Sequence, residues 1–391
     1  MKTLNPESKK YNRLVLILGF AGFISAADNW FVAPILPAIA SGLKIPVARA
    51  SMIITAYMLP YGFMQPLYGF FSDRHSKVKT LRWITGGLAL GTAGCAMTGS
   101  LLQLCFFRMV TGFFAAGIIA VSLALIGDTV PDSLGKVYVG RFIGIVFLGQ
   151  GISTGLGGIC AQLFNWRVTF GIFCALALIN QLLLGKLPEG DVTSPEQKLI
   201  PAFQAALTSK KGRIIFPLAL AAGCCLLGVY SFIGSYLHEK AGLTYLQSGL
   251  VMMFYGLACL SAGTLSGNRT RKLKPFDILR AGSYFAFGAP LLLAVFPFWQ
   301  TGLVATIALG FGYILIQSTL ATLAFQVSVQ SKGLSSGLVG LGLFCGGGIG
   351  TSMNGWILAH AGYHNLWLIL TGEIGILGLL FRKARGLNPR S

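Results

Sequence analysis

Three ionisable side chains stand alone inside long uncharged runs: Asp28, Arg108 and Glu373. A carboxylate or guanidinium withdrawn from water must pair with another group or face a wet cavity, and a carboxylate there can also take up and release a proton. A second set is concentrated instead of isolated. In "YGFFSDRHSKVKTLRW", residues 68–83, a charge-free stretch from Ala50 to Ser72 gives way to Asp73 and then to Arg74, Lys77, Lys79 and Arg82. No His/Asp/Glu metal set, Ser/His/Asp constellation or phosphate-binding loop can be read from the chain, so an enzyme is not expected and no metal or cofactor is called for. His238, His360 and His364 fall near the ends of apolar segments. The eight cysteines lie inside such segments without a C-x-x-C pair and read as small packing residues.

The elements that must position these residues follow from composition. The 391-residue chain is 54% hydrophobic and 10% charged, against about a quarter charged for a soluble domain. So few charges cannot form a polar shell, so the apolar residues must face lipid. The net charge of +19 suggests nucleic acid, but its distribution argues against that partner. The bases punctuate charge-free intervals, nearly all long enough for a membrane-spanning helix of roughly 20 residues. The count is twelve helices, at about 14–36, 50–72, 83–101, 104–127, 138–162, 167–185, 214–237, 246–267, 277–296, 301–324, 333–358 and 365–381. The first is too long for a signal peptide.

With both termini cytoplasmic, 25 of the 30 lysines and arginines fall on the inner side. Lys44, Arg49, Arg167 and Lys240 fall outside, and Arg108 lies within a span. Positive residues favour the cytoplasmic face, so the basic balance expresses topology, with some attraction to anionic lipid. The expected organisation is an N-terminal six-helix bundle (1–185), a cytoplasmic linker (186–212) and a C-terminal six-helix bundle (213–391). Within the linker, Leu199 to Leu207 suits a helix lying on the membrane surface. "GFFSDRHSK" after the second span is echoed by "TLSGNRTRK" after the eighth, a weak internal repeat. Two six-span halves with a site between them are a transporter architecture.

Here the chain resembles the major facilitator superfamily, in particular its twelve-span drug/proton antiporter branch. The family pattern G-x-L-a-D-R-x-G-R-K reads Gly69-Phe70-Phe71-Ser72-Asp73-Arg74-His75-Ser76-Lys77-Val78. The pattern R-x-x-x-G of the fourth span reads Arg108-Met109-Val110-Thr111-Gly112. An acid nine residues before a proline in the first span reads Asp28 to Pro37, and "NWRVTF" (165–170) is similar to the start of the sixth span. In the fifth-span antiporter pattern, Gly149, Gly157 and Gly158 fit, whereas Ser153 and Thr154 stand where Gly-Pro is expected. The resemblance implies an all-α membrane protein of two pseudo-symmetric six-helix halves. It also implies alternating access and a peripheral last helix, which leaves Glu373 as either a packing contact or a coupling site.

Asp73 ends the second span, where the helix dipole disfavours an acid by roughly 0.3–1 kcal/mol. The N–H groups at the start of the eleventh span, Gly333-Leu334-Ser335-Ser336, would bind it better than Arg74 alone. Gly69, Asp73, Arg74 and Lys77 thus read as a gate, with Asp73 latching the halves shut and the bases anchoring and pairing with it. Asp73→Asn should then abolish transport at normal expression. Asp28 and Arg108 each cost about 2.5–3.5 kcal/mol near a span's centre. They lie at depths that allow them to meet, either as a permanent staple or as a proton-coupling pair that alternates between desolvation and a counter-charge. Tyr57, Tyr61 and Gln65 share one helical face. With Trp30, Phe31, Tyr230, Tyr313 and Gln317, they are candidates to line a central cavity for an amphipathic molecule.

The expected function is a secondary transporter of the cell (plasma or bacterial inner) membrane. It exports a small organic molecule against protons, with the proton gradient as energy source and the monomer as working unit. A uniporter or importer of a metabolite such as a sugar, and a receptor or lipid-handling protein on the same fold, remain alternatives. The expected partners are a small-molecule substrate, protons and membrane lipids.

Overall fold

The structure is a computed structural model that describes residues 6–72, 74–189, 199–269, 273–327 and 332–387. Every regular element among them is a helix. The first group comprises α1 (Pro6–Trp30), α2 (Val32–Leu43), α3 (Val47–Ala50), α4 (Met52–Ser72), α5 (Lys77–Met97), α6 (Leu101–Ala115), α7 (Ile118–Thr129), α8 (Asp132–Leu163) and α9 (Trp166–Leu184). The short α10 (Leu199–Thr208) precedes α11 (Gly212–Glu239), α12 (Tyr245–Arg269), α13 (Pro275–Val295), α14 (Trp299–Ala324) and α15 (Lys332–Leu387).

Local sequence sets several of the helix starts. Ser100 Oγ accepts from Gln103 N at 3.4 Å, while the Gln103 amide oxygen accepts from Gly99 N at 3.1 Å. Thr244 and Gln247 form the same reciprocal box at the head of α12, at 3.2 and 2.9 Å. Asn165 Oδ1 caps α9 through Arg167 N at 3.0 Å. Each box satisfies N–H groups that helix geometry leaves unpaired.

Nine helices among the described residues are long and apolar enough to cross a bilayer, or ten if Val32–Leu43 and Val47–Phe71, bent by 115°, form one span. Twelve segments were expected from the charge-free intervals, and the differences have visible causes. Helix α5 opens on Lys77 and carries Lys79 and Arg82 in its first two turns, so charge interrupts a helix expected to begin at residue 83. The two segments expected at 333–358 and 365–381 run together in α15, broken where Gly362 takes φ 72° and ψ 178°. The first segment, expected at 14–36, extends over α1 and α2 to Leu43. The stretch expected to lie on the membrane surface is helical as α10, with Ile200 exposed and Ala206 buried.

Leu90, Met97 and Leu102 are 75%, 85% and 81% exposed. Apolar exposure of that extent fits a lipid-facing surface. Inside, α4 packs lengthwise on α15: Thr55 Oγ1 donates to Gly348 O at 3.0 Å, and Gly337 lies against Pro66. Helix α8 packs on α12, where a Cβ on Gly256 would collide with the backbone of Gly151. Such close approach supplies the dispersion contact that holds helices together where burial from water cannot.

Candidate functional site

The site is built from α1 outward. Asp28 is 0% exposed and Arg108, reaching from α6, is 1% exposed. Arg108 Nη1 donates to Asp28 Oδ2 at 2.8 Å and to the Asp28 main-chain oxygen at 3.0 Å. Asp28 Oδ1 accepts from Thr92 Oγ1 of α5 at 3.2 Å. The guanidinium lies over the Tyr57 ring of α4, 4.1 Å from its centroid. Four helices therefore meet on one ion pair, and the low dielectric strengthens each contact. The pattern Arg108-x-x-x-Gly112 has a steric basis: a Cβ on Gly112 would strike the carbonyl oxygen of Tyr57. The glycine lets α4 and α6 approach closely enough for Tyr57 to cover the arginine one turn away. Arg108 Nε has no hydrogen-bond partner among the described residues.

Two residues further along α1, Trp30 faces the other way into an aromatic cluster. Its ring centroid lies 4.6 Å from Tyr230 of α11, 5.1 Å from Tyr255 of α12 and 5.9 Å from Tyr313 of α14. Tyr255 is the hub, 4.6 Å from Tyr230 and 5.9 Å from Tyr313. Backbone chemistry joins this cluster to α1. Pro34 has no N–H to give the Trp30 carbonyl, and Tyr230 Oη donates to that oxygen at 3.2 Å. Asn29 Oδ1, on the residue before Trp30, and Gln150 Nε2 of α8 are buried without a hydrogen-bond partner among the described residues. Unpaired buried polar atoms are costly.

Other expected residues fall as follows. Tyr57 and Tyr61 stack at 5.4 Å, and Tyr61 meets Phe344 of α15 at 4.4 Å. Gln65 lies over Gly340, where a Cβ would occupy its place. Gln317, one turn beyond Tyr313, is half-buried. Phe31, offered as a cavity residue, instead packs between Phe170 and Phe173 of α9 at 4.9 and 5.1 Å. Successive helical residues turn by about 100°, which carries it off the Trp30 face. Glu373 is half-buried in α15, near enough to Cys224 and Cys225 of α11 to act on them electrostatically.

Of the gate motif, Asp73 lies outside the described residues. Gly69, one turn earlier, faces Gly333 at the start of α15. Arg74 places its guanidinium over Phe70 at 4.1 Å. Two bases of the same run pair with acids among the described residues: Lys77 with Asp128 at 2.8 Å and Lys79 with Glu189 at 2.9 Å. In α8, Ser153 and Thr154 turn their hydroxyls onto the carbonyls of Gln150 and Gly151, at 3.3 and 2.7 Å. Tyr255, Gln150, Asn29, Thr92 and Asp128 escaped the sequence reading. Only Tyr255 carried a signal, a tyrosine beside a glycine (Gly256) in a charge-free span.

Comparison with known proteins agrees with this architecture. The chain is 24% identical over 377 residues to the uncharacterized MFS-type transporter YceJ of Bacillus subtilis (strain 168), covering 92% of each chain. It is 33% identical over 169 residues to the multidrug resistance protein fnx1 of Schizosaccharomyces pombe, covering 43% of this chain and 31% of that one. A mutant of the nucleoside transporter NupG superposes with a TM-score of 0.81 at 15% identity, over 95% of this chain and 99% of the other. The family model described as "Major Facilitator Superfamily" matches residues 18–351, and the chain accordingly belongs to that superfamily of multi-pass membrane transporters.

Proposed function

We propose that this transporter exports a small organic molecule with a flat ring and hydrogen-bonding groups, in exchange for protons, by alternating access. The observation that carries the reading is the adjacency of Asp28 and Trp30 on one turn of α1. A proton-binding candidate and a ring-binding face then move as one body. Protonating Asp28 cancels its charge, leaving Arg108 held by the main-chain oxygen of residue 28 and the Tyr57 face. The pair that ties α1 to α5 and α6 weakens, and α1 is free to shift against α11, α12 and α14. A substrate entering between Trp30 and the three tyrosines separates the same helices from the other side. The two ligands thereby favour different arrangements, which is what exchange requires.

The partial similarity to a multidrug resistance protein supports efflux of organic molecules, and the phenol groups of the three tyrosines bring hydroxyls to an otherwise aromatic surface. A second reading rests on the saturation of Asp28 by Arg108 and Thr92: a permanent staple in a uniporter, with no proton step. Everted vesicles with an acid interior and a pH-sensitive dye separate the two. A panel of lipophilic cations, nucleosides, sugars and amino acids is added in turn. Proton release on adding one class supports antiport; substrate uptake with no dye response supports the uniporter.

A further inference from the structure

We propose that the groove between the start of α1 and the end of α9 binds one membrane phospholipid with an anionic headgroup. The groove has a volume of about 540 Å³ and is lined by Lys9, Asn12, Arg13, Leu16, Ile17, Leu183 and Lys186. It adjoins a second cavity of about 300 Å³ that adds Lys10 to the same cationic rim. Neither lining contains a carboxylate. Lys9, Lys10, Arg13 and Lys186 form no ion pair among the described residues, although Lys77 and Lys79 nearby on α5 each hold an acid. Arg82, from α5, lies alongside Gly185 and adds a further base at the C-terminal end of α9. That many bases on one rim repel one another unless an anion lies among them.

The groove is graded as a lipid is graded. One turn deeper than Arg13, Leu16 is 64% exposed, and Leu182 beside Leu183 is 73% exposed. A phosphate at the level of Lys9, Arg13 and Lys186 places its acyl chains along these leucines. The polar wall is organised for the headgroup: Arg141 Nη1 donates to Asn12 Oδ1 at 2.7 Å, which leaves the Asn12 amide N–H groups for an acceptor. The apolar lower wall favours a lipid over a soluble anion. The charge of the rim favours phosphatidylglycerol or cardiolipin over a zwitterionic lipid.

The test uses the purified full chain in mixed micelles holding equal phosphatidylglycerol and phosphatidylcholine, with retained lipid counted by native mass spectrometry. It needs no transport assay, so it stands apart from the proposed function. The wild type should retain one phosphatidylglycerol. The variant K9A/R13A/K186A should bind it about 100-fold more weakly, at about fivefold per base, and lose most of that occupancy. K9R/R13K/K186R should keep it, and K136A/K210A/K383A, which removes three exposed bases elsewhere, should keep it too. Equal loss in both alanine triples, equal retention of phosphatidylcholine, or displacement by millimolar inorganic phosphate would each overturn the proposal.

Discussion

Arg108→Met isolates the energetics of the buried pair. Methionine nearly fills the arginine's volume, so packing changes little. The substitution strips Asp28 of its counter-charge and of the donor to its main-chain oxygen, leaving only neutral hydroxyls such as that of Thr92 beside the carboxylate. Breaking a buried pair from one side costs about 3–5 kcal/mol. The lost contact with Tyr57 adds about 0.5–2 kcal/mol. Replacing both charges in D28N/R108M removes the uncompensated carboxylate, and such double replacements are close to neutral or stabilising by about 1–4 kcal/mol. D28N alone keeps an acceptor for Arg108 and should fall between wild type and R108M. The eight cysteines are all free, five of them buried, so a thiol-reactive dye reports unfolding during a thermal ramp in detergent. R108M should unfold well below wild type, and the double variant should recover to near or above it. If R108M matched wild type, or the second substitution brought no recovery, the pair would not carry the structural weight assigned to it.

Three further outcomes follow from named contacts. Gly112→Val drives a side chain into the Tyr57 carbonyl and should cost about 1–3 kcal/mol by overpacking, read as a lower midpoint in the same ramp; Gly99→Val, facing open space, is the control. Tyr230→Phe leaves the Trp30 carbonyl freed by Pro34 without its donor and should cost about 0.6–1.7 kcal/mol, the range for hydrogen bonds between membrane helices. Lys77→Ala and Asp128→Asn should couple by less than about 1 kcal/mol in a double-mutant cycle, and less still in high salt, because Asp128 is 60% exposed.

Charge carried most of what was legible in the sequence. Lone ionisable residues in apolar runs are costly enough to need partners, so Asp28 and Arg108 could be named before their 2.8 Å contact was seen. Charge-free intervals located most helices to within a few residues, but not the first, which spans Pro6 to Leu43 as α1 and α2, nor the places where Lys77 to Arg82 sit inside a helix and where Gly362 alone interrupts one. Facing was harder. Trp30 and Phe31 look equivalent in sequence, yet one helical step sends the first to the tyrosines and the second to Phe170 and Phe173. In spans apolar all round, no polar stripe marks the inner face, which is why the hub Tyr255 escaped notice while Tyr230 and Tyr313 did not. The pairing of Lys77 with Asp128 joins residues far apart in the chain, which no local pattern reveals.

The most direct test of coupling through Asp28 is a paired flux measurement on Asp28→Asn in proteoliposomes. One arm follows uphill substrate movement driven by a pH gradient; the other follows exchange of labelled for unlabelled substrate at equal pH. If the carboxyl carries the transported proton, gradient-driven movement is lost while exchange persists, because the Trp30 cluster and its helices still alternate with their ligand. Gradient-driven transport at wild-type rates in the variant would contradict the account and leave Asp28 and Arg108 as a staple between α1 and α6.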